Sequence, residues 1–262
     1  MTNQQFKEKS KKFLNEYADN IFRFHEKINE VRPVNAWHAS KLDSCLRGVY
    51  YEREGVKKPK ERAKFIENVF YEGKMKELEL ILRLILEEYE ILDSQSALIN
   101  EELNAKGRPD AIVLKDGKTQ CIEIKTVNSR AFWYRVKDGN FDPYPAHVKQ
   151  LTYYLHELRE KYPEITGVLK YRSRDDGTEL NVFIDYNEQI WQECEAQFKV
   201  LDVCWSDKIL PPIPDTTIYD QDKKRWVVNY KAQYCDYHHY CLEDESWLKK
   251  AESQVNYMNK LK

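Results

Sequence analysis

The spacing of apolar residues changes period several times along the chain, and each change marks an element. From residue 1 to 31, Phe6, Phe13, Leu14, Tyr17, Ile21, Phe22 and Phe24 recur close to helical spacing in a charged background. That spacing predicts a helix packed on the rest of the molecule. A second helix is predicted over 65–90, with Phe65, Val69, Phe70, Leu78, Ile81, Leu82, Ile85 and Leu86 as its buried side. The pattern then becomes strand-like: two short apolar runs, 111–114 and 121–127, flank Lys115-Asp116-Gly117-Lys118. Asp-Gly between alternating runs is a strong hairpin signal. With the turn at Asp116 and Gly117, Lys115 pairs with Lys118, Leu114 with Thr119, Ile112 with Cys121 and Ala111 with Ile122. Asp110 then falls opposite Glu123. Alternation puts Cys121, Glu123 and Lys125 on one face and Ile122 and Ile124 on the other.

Downstream, a helix is predicted over 147–161 with His147, Gln150, Leu151, Tyr154, Leu155 and Leu158 on one side. Strands over 167–171 and 180–186 enclose an Asp175-Asp176-Gly177 turn, and a helix over 188–203 leads into a proline-rich loop at 211–214. Upstream of the long helix, Ser40 is a candidate N-cap that would place Cys45 on the following helix.

Composition narrows the class. At 262 residues, with 42% hydrophobic and 33% charged residues, the chain suits one large domain with appended helices and a soluble surface. A net charge of −2 gives no overall pull towards nucleic acid, so any such contact must come from local patches. Six cysteines and no signal peptide point to a reducing cytoplasm. The best apolar run, 78–86, is broken by Arg83 and falls short of the ~18 residues of a membrane span.

The hairpin carries the candidate chemistry. Two carboxylates directly opposite one another repel unless a cation sits between them, so Asp110 and Glu123 could grip a divalent metal with Lys125 beside it. The plainer alternative is a solvated hairpin face. Around it lie Gly73 and Glu77, one turn apart on the long helix, and Gln150 and Tyr154, one turn apart on a later one. The segment 129–135 sets Phe132, Trp133 and Tyr134 between Arg130 and Arg135, suiting either a single-strand path or core packing. A basic run contains Arg53, Lys57, Lys58, Lys60, Arg62 and Lys64, suiting either a solvated face or phosphate contact. Cys235, His238, His239 and Cys241 form the densest group of soft-metal ligands, while Cys121 and Cys194 suit packing.

Pro109-Asp110 followed by Glu123-Ile124-Lys125 resembles the signature of PD-(D/E)XK nucleases. With its flanks the pattern resembles the RecB-type exonucleases, in particular the CRISPR-associated Cas-four type and its phage and helicase-subunit relatives. Five elements stand in the family order over roughly residues 37–241: an early Cys45, the Gly73-to-Glu77 helix, the Pro-Asp with Glu-x-Lys, the Gln150-to-Tyr154 helix and a Cys-rich end. The resemblance implies an α/β, restriction-endonuclease-like core with a mixed central sheet flanked by helices. It implies that Glu77, Asp110 and Glu123 bind Mg²⁺ or Mn²⁺, that Lys125 positions the attacking water, and that Gln150 and Tyr154 support the site or touch DNA. The implied activity is metal-dependent DNA hydrolysis, exonucleolytic on single strands or ends, with protein partners in a DNA-processing complex. An endonuclease on the same core and a non-catalytic binding subunit are the alternatives.

The departure lies at the C-terminal end. Relatives with an iron–sulfur cluster use one early and three late cysteines; Cys45, Cys235 and Cys241 fit, but Ala232 stands at the remaining position. His238, His239 or Cys204 could complete a cluster or a structural zinc site, or the segment holds no metal. The expected organisation is an N-terminal helical extension over 1–34, the nuclease domain with its Cys-containing strap over 35–245, and a helical tail over 246–262.

Overall fold

The protein is described here by a computed structural model covering residues 4, 7, 8, 11, 15, 35–58, 64–221, 224–241 and 246–260, with the side chains of 64–72, 74 and 77 outside that description. Most of the helix predicted over 1–31 therefore falls outside the described residues, as do Lys60 and Arg62 of the basic run.

The core is a five-stranded sheet. Strands β5 (Ala111–Lys115) and β6 (Lys118–Val127) form the hairpin. Strand β2 (Glu90–Asp93) lies antiparallel on the outer side of β5. Strand β9 (Thr166–Ser173) runs parallel to β6, and β10 (Glu179–Ile184) closes the sheet antiparallel to β9. The order β10-β9-β6-β5-β2 is therefore mixed. Parallel strands need a long crossover. Here the crossover runs through helix α3 (Ser129–Arg135), a short antiparallel pair of β7 (Val136–Lys137) and β8 (Asn140–Phe141), and helix α4 (Pro145–Leu158).

Alternation divides the sheet as the sequence predicts. Ala111, Val113, Ile122 and Val168 pack with Leu80, Ile81 and Leu84 of helix α2 (Lys64–Leu86). Ile112, Cys121, Leu169 and Tyr171 pack on the opposite face with Leu151 and Leu155 of α4, and with Trp191, Cys194 and Phe198 of helix α5 (Glu188–Ser206). A mixed sheet flanked by helices is the expected restriction-endonuclease-like α/β arrangement.

A smaller sheet joins β1 (Trp37–His38), β4 (Ala105–Gly107) and β3 (Leu98–Asn100), with β1 parallel to β4. It brings Gly107 against α4. A side chain there would run inside van der Waals contact of the Tyr154 ring, and its Cβ would lie 3.2 Å from Tyr153 Cε1. Glycine is what lets the helix carrying Gln150 lie this close.

Three local expectations change. Ser40 does not cap a helix: it sits in a 3₁₀ turn, and Cys45 itself is the N-cap of helix α1 (Leu46–Arg53). On α2 the stripe against the sheet includes Leu80 and Leu84, while Leu86 is largely solvent-exposed. Arg53 is buried, its guanidinium 4.0 Å from the Trp37 ring centre and 4.5 Å from that of Trp205, so it serves packing and not a phosphate.

Beyond α5, a hairpin of β11 (Thr217–Asp220) and β12 (Arg225–Val228) leads to the short helices α6 (Tyr230–Gln233) and α7 (His238–Cys241). A last helix, α8 (Trp247–Lys260), covers Ala232 with Trp247 and Ala251. Among the described residues no helix is long and apolar enough to cross a membrane.

Candidate active site

The hairpin register places the site. Lys115 pairs with Lys118, Leu114 with Thr119, Ile112 with Cys121 and Ala111 with Ile122. Asp116 and Gly117 take positive φ of 51° and 75° at the tip, as a two-residue turn of this kind requires. Asp110 lies one position beyond the last pair, opposite Glu123. It shares the face of Ile112, and Glu123 and Lys125 share that of Cys121, so all three meet the side of the sheet covered by α4.

Each carboxylate is buried and held: Asp110 is 7% exposed and Glu123 5%. Asp110 Oδ2 accepts a 2.7 Å hydrogen bond from the Ile124 backbone N–H, and Oδ1 accepts one of 3.0 Å from Gln95 Nε2. The side chain thus takes up the amide that the β5 ladder leaves behind where it ends. Ser94 Oγ donates to the Asp110 carbonyl at 2.9 Å and fixes the strand start.

Glu123 Oε1 accepts from Lys125 Nζ at 2.7 Å and from Gln150 Nε2 at 2.9 Å. Lys125 Nζ also donates to Gln150 Oε1 at 2.8 Å. Three side chains from two elements therefore close a triangle. Gln150 Nε2 spends its second proton on Tyr154 Oη at 2.7 Å, one turn further along α4. Burial first, and the Glu123 charge second, push the Tyr154 phenol well above its ordinary range. Burial, then Glu123 and Asp110, do the same to the Cys121 thiol.

Two buried carboxylates on neighbouring strands make an all-oxygen donor pair. Such a pair fits Mg²⁺ or Mn²⁺, since small hard cations are often held by one or two carboxylates together with waters and substrate phosphates. Glu77 lies on α2, but its side chain is outside the described residues. Among those residues, no three His, Cys, Asp or Glu side chains are grouped so as to hold a metal ion.

His147, Tyr171 and Gln95 join the expected residues at the site. Tyr171 pairs with Lys125 in the parallel register of β6 and β9, so their side chains share a face. His147 lies one turn before Gln150, and its Nδ1 is 2.8 Å from Tyr171 Oη. Burial, then the charges of Lys125 and Arg135, lower its pKa to about 3, so the ring is neutral. The i, i+3 spacing from Gln150 was the available signal for His147; nothing local marked Gln95.

The three aromatics of α3 divide. Phe132 is buried against Phe141, whereas Trp133 and Tyr134 are 52% and 70% exposed. Trp133 Nε1 donates to Asp176 at 3.0 Å, and the Arg135 guanidinium lies 3.8 Å from the Tyr144 ring centre.

The cysteines fall into two groups. Cys121 and Cys194 are fully buried in the core. Cys45, Cys235 and Tyr237 cluster beside Tyr51, and Cys241 lies near Arg47, Cys45 and Tyr51. A hydrogen bond from the Cys235 thiol lowers the pKa of the Cys45 thiol. Ala232 faces Trp247 and Ala251, and His238 Nδ1 is 2.8 Å from the Cys235 carbonyl oxygen. Cys204 sits on α5 beside Tyr50. Three cysteines are thus neighbours without forming a metal-holding group among the described residues, and the iron–sulfur and zinc expectations gain no support from this segment.

No protein-family model matches the chain, and no curated protein matches it. Some solved structures are similar to it. The crystal structure of SSO0001 aligns with a TM-score of 0.49 and 21% identity, over 89% of this chain and 96% of that one. An alkaline exonuclease from Laribacter hongkongensis, LHK-Exo, aligns with a TM-score of 0.47 and 15% identity, over 67% of this chain and 90% of its own. The structure of LHK-Exo in complex with dAMP gives a TM-score of 0.47 and 15% identity, over 68% and 91%.

Proposed function

We propose that this chain is a metal-dependent deoxyribonuclease that hydrolyses phosphodiester bonds, acting as an exonuclease on single strands or DNA ends. The observation that carries the reading is the hydrogen-bonded triangle of buried Glu123 and Gln150 with half-buried Lys125, on the same sheet face as buried Asp110. A merely solvated hairpin would leave these groups in water; burying them is costly unless each is paired. Asp110 and Glu123, with Glu77, would hold Mg²⁺ or Mn²⁺. Such an ion supplies, when bound, an acidified water and positive charge against the phosphate oxygens.

The chain's own residues do the positioning. Lys125 brings a cation to the edge of the carboxylate pair, where it can orient the attacking water and offset charge on the phosphate. Gln150 fixes Lys125 and Glu123 relative to each other, and Tyr154 fixes Gln150. The buried floor of Cys121, Ile112 and Tyr154 keeps bulk water from the underside of the site. Purified protein incubated with end-labelled single- and double-stranded DNA in Mg²⁺, Mn²⁺ or EDTA tests the proposal. Mononucleotide release from ends, stopped by EDTA, is the expected result. Intact DNA under every condition would overturn it.

A further inference from the structure

One turn before Gln150, the hydrogen bonds around His147 fix its tautomer. Tyr171 is fully buried, with its ring stacked on Phe141 at 3.9 Å. Its hydroxyl oxygen accepts the Tyr144 backbone N–H at 3.1 Å, and its other hydrogen-bond neighbour among the described residues is His147 Nδ1 at 2.8 Å. An amide can only donate, so the buried O–H proton needs an acceptor, and Nδ1 is the one in reach. The proton of the neutral ring therefore sits on Nε2, at the opposite edge.

The ring is half-buried beside Tyr144, with 5.1 Å between ring centres, and it lies in the field of Lys125 and Arg135. Arg135 is itself held in place, donating to the Asp142 carbonyl at 3.1 Å with its guanidinium over Tyr144. Tyr144 and Tyr171 thus tie the ring to both cations: Arg135 lies over Tyr144, and Lys125 shares the sheet face of Tyr171.

We infer that His147 is a phosphate-binding residue, donating from Nε2–H to a non-bridging oxygen of a phosphodiester held between Lys125 and Arg135. The inference rests on the nuclease reading for its ligand and extends it to a second point of contact with the strand. A neutral donor suits the place, because a third cation there would repel Lys125 and Arg135 whenever the strand is absent.

The test compares His147→Leu, which keeps bulk and loses the donor, with His147→Gln, whose amide N–H reaches about as far as Nε2. One hydrogen bond to a charged oxygen corresponds to about 10- to 100-fold. His147→Leu should lose that factor in kcat/KM on single-stranded DNA and in affinity for a fluorescein-labelled oligonucleotide in EDTA. His147→Gln should stay within about threefold of wild type, by the same argument. Tyr171→Phe should weaken the wild type and have no further effect in the His147→Gln background. Leucine at wild-type affinity and kcat/KM, or glutamine as impaired as leucine, would overturn the inference. The nuclease reading is judged separately. If wild type cleaves no DNA, that reading falls, and the affinity in EDTA still decides on His147.

Discussion

Gln150 uses every hydrogen-bonding group of its amide within the site. Its oxygen faces Lys125 and its two N–H groups face Glu123 and Tyr154, so the reversed amide would set oxygen against carboxylate. Gln150→Ala should therefore leave Glu123 and Lys125 adjacent but loosely placed. Turnover should fall roughly 10- to 100-fold while unfolding free energy drops by only about 1–3 kcal/mol. Wild-type turnover in that variant would show the triangle to be structural. Lys125 allows a sharper split: Lys125→Ala should cut turnover at saturating DNA far more than it weakens DNA binding. The reverse pattern would confine it to holding the phosphate, with no part in orienting the water. Much of this was legible because the Asp-Gly turn sets the register and the register sets which side chains share a face. Helical spacing set Gln150 one turn from Tyr154, whereas a supporting place for Gln150 at the site followed only from the family resemblance. Gln95 was illegible because it reaches Asp110 from the irregular turn after β2, where no periodicity exists.

At the scale of elements, the site depends on how closely α4 lies against the two sheets. Gly107→Ala should push the Tyr154 and Tyr153 rings off β4, and overpacking of this kind costs about 1–3 kcal/mol. Because Tyr154 anchors Gln150, the same change should lower turnover; a variant with reduced Tm and unchanged turnover would uncouple the two. The hairpin, α4, β9, β10 and α5 were all readable from period and turn residues. β2, β3 and β4 were not. They are three or four residues long, and their packing is set by distant partners such as Tyr153, whose hydroxyl bonds the Leu98 carbonyl. The stripe on α2 was misjudged because the helix meets one side of the sheet only, so apolar residues such as Leu86 remain in solvent.

Across the whole molecule, the C-terminal segment folds back onto the residues around α1. Tyr237 and Tyr240 lie against Tyr51, Tyr240 Oη donates to the Lys57 carbonyl at 3.0 Å, and Lys58 pairs with Asp236. The sequence hinted at this only through its cysteines, since contacts between residues so far apart leave no local pattern. Acid should reveal the half-buried histidines of the assembled fold. Burial, then Lys106, lowers His38 to about 4, and burial, then Lys125, lowers His147 to about 3. Between those values and the ordinary 6.5 the unfolded chain binds protons that the folded chain does not, so stability is full above pH 6.5 and falls as pH drops through this window. Glu79 behaves like a paired carboxylate. Burial opposes its ionisation, but hydrogen bonds from Arg172, Lys76 and Arg83 hold it at about 2, so its contribution is lost only below the usual carboxylate range. A Tm that begins to fall between pH 6.5 and 4.5, with a shallower fall in His38→Gln, is the expected profile. A flat Tm down to pH 4.5 would contradict it.

The account stands or falls on the opposed carboxylates. The most direct measurement compares the cleavage of end-labelled single-stranded DNA by wild type, Asp110→Ala and Glu123→Ala in Mg²⁺, with circular dichroism on the same samples. The prediction is no cleavage by either variant, with folded spectra; each variant leaves hydrogen-bond donors of the site without their carboxylate and should lose about 1–3 kcal/mol of stability without unfolding. Cleavage by Asp110→Ala at the wild-type rate would contradict it.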